Sequence, residues 1–459
     1  MAFTLVMDAW LMSSKFRTVD RHTLYLLPPS VQDWLPDDHL ARFVVDIVER
    51  LDLSGLERQY SGGGKDPYHP SLLLGLLFYG YATGVFSSRK LERATYDSVA
   101  FRYIAANSHP DHDTIASFRK RFLKELQGLF VQILLIAQET GLLKLGNVSL
   151  DGTKVQANAS KHKALSWGYA KRLEEQLRAE VSALLEQAAQ ADDSEPELDI
   201  PEELKRRTER LAVIEAAQAE IERRAQERHA AEQADYEEKL EARREKEKKT
   251  GRKPGGRPPQ APQAGPKDTD QVNLTDAESR IMPTSDGFEQ AYNAQSGVDI
   301  ESHLVVTADV VDRCNDKREV APALEALDAL PAALGQPVGL LADTGYFSGA
   351  NVAHCEAAGL TPHIATGREA HNVPLSERCA SPPPCPEDAD PVTRMAHRLQ
   401  TPEGRALYAR RKSTVETVFG IIKETMGFRR FHLRGLEAVR GEWTLTCLAW
   451  NLKRMHALS

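Results

Sequence analysis

The spacing of apolar positions changes twice along the 459-residue chain, and each change marks a different kind of structure. From residue 20 to residue 145 they recur at helical intervals. Within this region Ser71 to Ser88, SLLLGLLFYGYATGVFSS, has no charge for 18 residues, which raises a membrane span. Its glycines, tyrosines and serines, its start directly after Pro70 and its end at Arg89-Lys90 predict instead a buried helix of a compact all-α region, with no membrane involved. In Asn107 to Leu126, Pro110, Asp111 and Asp113 mark a helix start, and Ile115, Phe118 and Phe122 fall on one face. Arg119, Lys120, Arg121 and Lys124 lie largely off that stripe. The spacing suits equally a helix-turn-helix with a basic outer face and a core helix with ordinary surface charge.

From Gly146 onward strands alternate with helices. NVSLDGTKVQAN predicts one strand, and FEQAYNAQSGVDIESHLVVTADVVD predicts two joined through DIESH. EVAPALEALDALPAAL has helical period, PVGLLADTGYF is a short apolar strand, SGANVAHCEAAGL is a helix capped by Ser348, and TPHIAT is another strand. A Pro-rich loop over 367–405 and a mostly helical tail complete the pattern. This order predicts an α/β domain, residues 146–160 and 270–459, whose mixed sheet is covered on both faces. The helical domain takes residues 1–140. Between the first and second strands lies an insertion over 161–268, Ala/Glu/Arg/Lys-rich, with Pro196 and Pro201 near ADDSEPELD. It reads as an antiparallel helical hairpin followed by a flexible tether, GRKPGGRPPQAPQAGPKD. The hairpin serves either as a solvated spacer or as a DNA-spanning or dimerising arm.

Charge changes the picture only when it is placed. The 58 Lys and Arg against 66 Asp and Glu, a net of −8, speak against a nucleic-acid partner. Lys171 to Thr250, however, holds 23 acidic and 16 basic residues, which is nearly all of that excess. Thr401 to Ser459 has 11 basic and 5 acidic residues and forms a local anion-binding face. Five cysteines without a CxxC pair exclude a disulfide scaffold and a structural zinc site, and fit a reducing cytoplasm. Cys379 and Cys385 lack a convincing second pair, and His69, His109 and His112 have no metal-binding helical spacing. The start MAFTLVMDAWLMSSK does not read as a secretory signal.

Three carboxylates carry the candidate chemistry. Asp151 closes the apolar run VSL and Asp343 closes GLLA, each followed within two residues by glycine. Strand ends of an α/β sheet open onto the ligand crevice, where two desolvated carboxylates call for a divalent cation. Glu416 lies in YARRKSTVETVFGIIK, two helical turns before Lys423 and so on the same face. Hard oxygen ligands of this kind suit Mg²⁺ or Mn²⁺. Singly, each residue also reads as a turn former, a cap or ordinary surface charge. Arg410, Arg411, Lys412, Lys423, Arg429, Arg430 and Arg434 surround Glu416 and can neutralise phosphates, while Phe428, Phe431, Trp443 and Trp450 suit core packing.

These segments resemble bacterial insertion-sequence transposases of the DDE class. The resemblance rests on LDGTKVQAN, NLTDAESRIM with GFEQAYNAQSGVD, LLADTGYFSG and above all RALYARRKSTVETVFGIIKETMGFRRFHLRGLEAVRGEWTLTCLAWNLKRM, with HPSLLL and HDTIASFR in the helical domain. It spans nearly the whole chain outside the insertion. It implies an RNase H-like catalytic domain in which Asp151, Asp343 and Glu416 converge on two Mg²⁺ or Mn²⁺ ions. It also implies cleavage at the inverted repeats of a mobile element and joining of 3′-hydroxyls to target DNA. Double-stranded DNA at the element ends and target would be the partner, bound by Arg119, Arg121 and the basic residues around Glu416. A homodimer or higher assembly on DNA and a cytoplasmic, nucleoid-associated location follow. The family's glutamate signature has a tyrosine, an arginine and a lysine at fixed spacing. Here Lys412 stands at the arginine position with Arg411 beside it, and Ala409 at the tyrosine position with Tyr408 beside it. The alternative reading is a transposase-derived DNA-binding regulator that has lost catalysis.

Overall fold

The computed structural model describes residues 30–60, 67–190, 200–252, 255–284, 287–367 and 384–459. Its centre is strand β1 (Asn147–Gln156), which has two different neighbours. Strand β5 (Gly287–Asp299) pairs antiparallel with it from Val148–Asp299 to Gln156–Ala291. Strand β7 (Gly339–Ala342) pairs parallel with it only from Asn147–Gly339 to Ser149–Leu341. Strand β8 (Thr361–Ile364) extends the parallel side, whereas β4 (Arg280–Thr284) and β6 (Val305–Val311) share the far edge of β5. The sheet is therefore mixed. Leu340, Leu341 and Ala342 are fully buried, as a parallel strand covered on both faces requires.

The helical region does not stand apart from this sheet. Helix α4 (Pro70–Ala82) starts with Pro70 in its first turn and with the His69 side chain accepting from the Ser71 backbone N–H. It is buried all round because α2 (Leu40–Glu49), α6 (Val99–Ile104) and the last helix, α16 (Leu436–Leu458), pack against it. Among the described residues no helix is long and apolar enough to cross a membrane. Helix α7 (His112–Arg121) is capped by Asp111, whose Oδ1 accepts from the Thr114 N–H at 2.7 Å, and it buries Ile115 and Phe118. Helix α8 (Leu126–Glu139) packs on α16. Helix α16 buries Trp443, Leu445, Leu448 and Leu452 completely, and one contiguous apolar core runs from the amino-terminal helices into the sheet. Asn451 ties α16 to β6, accepting from Val305 N and donating to Val305 O, both at 2.8 Å.

The insertion carries a core of its own. Helices α9 (Trp167–Gln190) and α10 (Ile200–Thr250) run antiparallel, as the pairs Glu180–Arg207, Arg178–Glu215 and Glu174–Gln218 show. Leu177, Ile214, Ala217 and Ile221 pack between them, and β2 (Ala164–Ser166) with β3 (Gln271–Asn273) closes the base. The expected break near ADDSEPELD lies mostly outside the described residues. The expected tether is less free than its composition suggests. Arg243 donates to the carbonyls of Gly256 and Arg257, and Arg228 to that of Gly265, so the segment lies along α10. The Pro-rich stretch also differs from expectation. Residues 368–383, with Cys379, lie outside the described residues, but Pro391–Gln400 forms a helix, α13. Asp390 caps it, Pro391 suits its first turn, and Met395 is buried.

Glu442 joins the halves of the molecule. It is fully buried on α16, and it accepts from the Tyr81 hydroxyl at 2.9 Å and from the backbone N–H groups of His432 and Leu433 at 2.9 and 3.0 Å. A buried carboxylate is tolerated only when so satisfied. Glu442→Ala orphans these donors and is expected to cost about 3–5 kcal/mol in urea unfolding, against less than about 0.5 for the exposed Glu437→Ala. A loss under about 1 kcal/mol for Glu442→Ala would remove this contact from the structural account.

Candidate active site

The site lies where β1 and β7 part. Asp151 and Asp343 each stand two residues beyond Ser149–Leu341, the last couple of the parallel ladder. Asp343 ends its strand as expected, and its Oδ1 accepts from Gly345 N at 2.8 Å to start a short 3₁₀ turn. Asp151 does not end its strand. It sits in the middle of β1, because the longer β5 keeps that strand extended after β7 has stopped. Among the described residues no strand pairs with the β7 side of β1 from this point until Gln156 bridges Arg430, which leaves the carboxylate beside a gap in the edge. Its Oδ1 accepts from Gly152 N at 2.8 Å and its Oδ2 faces Arg411.

Helix α14 (Pro402–Arg411) brings in the third carboxylate through an irregularity that resolves the displaced signature. Lys412–Glu416 is a π-helical turn, which accommodates one residue more than an α-turn. Arg411, five residues before Glu416, thereby comes onto the glutamate's face. Its Nη2 lies 2.9 Å from Glu416 Oε1 and its Nη1 3.1 Å from Asp151 Oδ2. Lys412, at the position expected for the arginine, is exposed. Tyr408 lies within electrostatic reach of Arg411. A second π-turn, Ile421–Thr425, carries Lys423, whose Nζ donates to Lys154 O at 2.9 Å.

Burial raises the Asp151 carboxyl to about 6, against the Gly152 N–H and Arg411, which lower it; Asp343 and Asp316 push it further up. Burial works against the charge of Arg411, but Asp151, Tyr408, Glu416 and Asp343 outweigh it and hold the guanidinium protonated. The three carboxylates do not gather into shared metal reach as expected. Among the described residues no group of three or more His, Cys, Asp or Glu side chains could hold a metal ion. The reason is local: the Arg411 guanidinium, 8% exposed, lies between Asp151 and Glu416 and balances both.

Sequence reasoning missed a fourth carboxylate. Asp316, in the turn RCNDKRE after β6, accepts on Oδ1 from Asn293 Nδ2 at 2.6 Å and Gln295 Nε2 at 2.7 Å, both on β5. Tyr346, fully buried, donates its hydroxyl to Gln295. An Asn-Asp pair after a strand reads as turn chemistry, and the polar residues of β5 carry no functional signal at strand spacing.

The basic residues separate into three groups. Arg119 is a correction: it is buried, and its Nη1 donates to the Tyr81 hydroxyl and the Phe86 carbonyl, so it serves the core and presents nothing to a phosphate. Arg411 and Lys423 belong to the interior of the site. Lys423 titrates below its ordinary range, first through burial and then through Arg429. Arg121, Lys412, Arg429, Arg430 and Arg434 are exposed. Arg121 lies over the Tyr60 and Phe122 rings, Arg429 pairs with Glu424, and Arg430 and Arg434 bond to Asn158. Arg410, half-buried, pairs with Glu301. Phe428, Phe431 and Trp443 are fully buried and Trp450 is nearly so.

Residues 29–121 match a family model described as Transposase domain (DUF772), and residues 386–456 match one described as Transposase DDE domain. The second span contains Arg411, Glu416, Lys423 and all but the last two residues of α16; Asp151 and Asp343 lie outside both. Comparison with curated proteins and with solved structures returns no match. The two transposase-domain matches, one toward each end of the chain, support an insertion-sequence transposase of the DDE class.

Two predictions follow from this geometry. The folded protein holds the Asp151 proton more tightly than the unfolded chain, since its carboxyl moves from 3.8 up to about 6. The resulting stability is fully present below pH 3.8 and is lost as the pH rises through about 6. Asp151→Asn, which mimics the neutral acid, is therefore expected to be more stable than the wild type by roughly 1–3 kcal/mol at pH 7, with the margin vanishing toward pH 4. Chemical denaturation across that range measures it, and a less stable variant at pH 7 would contradict the electrostatics. The π-turn makes the second prediction. Deleting the exposed Ser413 returns the turn to α-geometry with Arg411 four residues before the glutamate, still on its face. The deletion variant is expected to melt at or above the wild-type temperature; a fall of many degrees would show that the extra residue is not simply accommodated by the bulge.

Proposed function

We propose that the protein binds the terminal inverted repeats of a mobile element, cleaves DNA at the element ends and joins the 3′-hydroxyls to target DNA. The observation that carries this reading is the meeting of Asp151 and Glu416 on one buried guanidinium at the parting of β1 and β7, with Asp343 acting on the same charge. The strand order β6-β5-β1-β7-β8, antiparallel then parallel, supports an RNase H-like catalytic domain.

The donor set fits divalent cations in chemistry. It offers hard carboxylate oxygens, one of them on a desolvated Asp151, and a fully buried Asn293 whose Oδ1 has no hydrogen-bond partner. Asp151, Asp343 and Glu416 would hold Mg²⁺ or Mn²⁺, and a bound pair of ions supplies activation of the attacking water or 3′-hydroxyl and stabilisation of the leaving oxygen. Arg411 must leave the carboxylates for this, and a DNA phosphate is the anion that draws it. Lys423, held by the Lys154 carbonyl, stays beside the same strand as a positioning charge. The exposed Lys412, Arg429, Arg430 and Arg434 form the rim that takes the duplex, and Arg121 extends it onto the helical region. Two element ends require a homodimer or higher assembly on DNA, and the protein works at the nucleoid in the cytoplasm.

The test uses the full chain and a duplex bearing the terminal repeat that flanks its gene, with Mg²⁺ or Mn²⁺. Nicking that exposes a 3′-hydroxyl, and joined products when target plasmid is added, are expected. Asp151→Asn, Asp343→Asn and Glu416→Gln should each reduce both by at least about 10³-fold, the scale on which loss of a principal catalytic stabilisation acts. Wild-type cleavage by these variants would refute the assignment, and cleavage without joining would leave a nuclease.

A further inference from the structure

Each of the two strand aspartates is followed closely by a glycine, and the same third carboxylate lies against both. A Cβ built on Gly152 would come within 2.8 Å of Asp316 Oδ1, 2.8 Å of Asn293 Oδ1 and 2.3 Å of Gln295 Nε2. A Cβ on Gly345 would lie 3.0 Å from Asp343 Oδ1 and 3.8 Å from Asp316 Oδ2. A side chain at Gly152 would displace Asp316, so that glycine admits it, whereas at Gly345 a Cβ would crowd Asp343 and only touch Asp316. Its two oxygens have different surroundings. Oδ1 accepts from Asn293 and Gln295 and lies 3.6 Å from Lys154 Nζ, while Oδ2 faces the Asp343 side of Gly345.

An acidic cluster alone would show only crowded charge. Asn293 points further: it is fully buried, its Nδ2 is used by Arg313 O and Asp316, and its Oδ1 has no donor although it faces the space over Gly152. An acceptor so placed marks a position for a cation or its water. We propose that Asp316 is a fourth carboxylate of this centre, contributing Oδ2 to the binding of a divalent cation beside Asp343. The inference rests on the reading of Asp151 and Asp343 as metal ligands. Asn293, Gln295 and Lys154 fix one oxygen so that the other is presented without rotamer freedom, and the site is completed only when Arg411 has left it.

Mn²⁺ titration of the full chain, followed by calorimetry or by electron paramagnetic resonance without DNA, separates the possibilities. Asp316→Asn keeps an oxygen for the β5 amides and removes the charge; it is expected to weaken Mn²⁺ binding about 10-fold or more while melting near the wild-type temperature. Asp316→Glu, which retains the charge, is expected to recover part of the affinity. Wild-type Mn²⁺ affinity in Asp316→Asn, with affinity lost in Asp151→Asn and Asp343→Asn, would overturn the proposal alone. Unchanged affinity in those two variants would instead overturn the reading of the centre. If Asp316→Asn melts early, Asp316→Glu decides: a folded variant without recovered affinity makes Asp316 a structural acceptor only.

Discussion

Negative charge gathered at the parting of β1 and β7 has to be balanced, and the rest of the architecture depends on how. Asp151 is buried enough to hold its proton to about pH 6 even with Arg411 beside it. Without that guanidinium, the desolvated Asp151 would keep only the Gly152 N–H for relief, with Asp343 and Asp316 opposing its charge. Arg411 is buried itself, so it cannot balance the site from solvent. It has to be delivered by a helix packed against the sheet, at one rotational setting. The π-turn provides that setting, and Val415, Val418 and Ile422, all fully buried, keep the helix from turning to another. The charge requirement and the packing requirement thus fall on the same short segment, from Arg411 to Ile422.

Those residues are held in turn by α16 and the amino-terminal helices. Phe428 and Phe431 follow the second π-turn into the core, where Phe428 meets Tyr81, Phe86 and Trp443. Glu442 then fixes the backbone of His432 and Leu433 while accepting from Tyr81. The exposed Arg429, Arg430 and Arg434 therefore extend from a loop whose underside is anchored to both halves of the molecule. A helical region that shares one core with the central sheet transmits position rigidly. A duplex bound by Arg121 would have its register set relative to Asp151 by packing, with no linker between them.

Much of this was legible in the sequence because apolar runs report burial directly. GLLA, VSL and the strand pair around DIESH lie where their patterns place them. The carboxylates at the two strands stood out jointly, because each closes an apolar run, although singly either reads as a turn former or a cap. What stayed hidden was set by geometry without a compositional trace. YARRKSTVE has uniform helical character, so nothing marks the extra residue between Arg411 and Glu416, and α-spacing selects Lys412. Arg119 follows the same pattern as the exposed Arg121, and only the position of the Tyr81 hydroxyl turns it inward. Asp316 occupies a turn, where an aspartate is ordinary. The strand β4 and the helix α13 were missed because their proline and polar content matches that of loops.

The distribution of charge follows from the same constraints. Helices α9 and α10 hold most of the acidic excess, yet many of their carboxylates are already paired: Glu180 and Glu203 with Arg207, Glu215 with Arg178, Glu220 with Arg223 and Arg224. Paired in this way, exposed charges stabilise little, and their field falls off within about 10 Å at moderate salt. The insertion leaves the sheet near the end of β1 through the β2–β3 base and keeps its own small core, so its acidity is confined to a separate body. The basic rim around Glu416 is attached to the main core and carries its charge on exposed arginines. A net charge of −8 is thus compatible with attraction of a polyanion, because the two signs act from different places and screening prevents them from cancelling at the site.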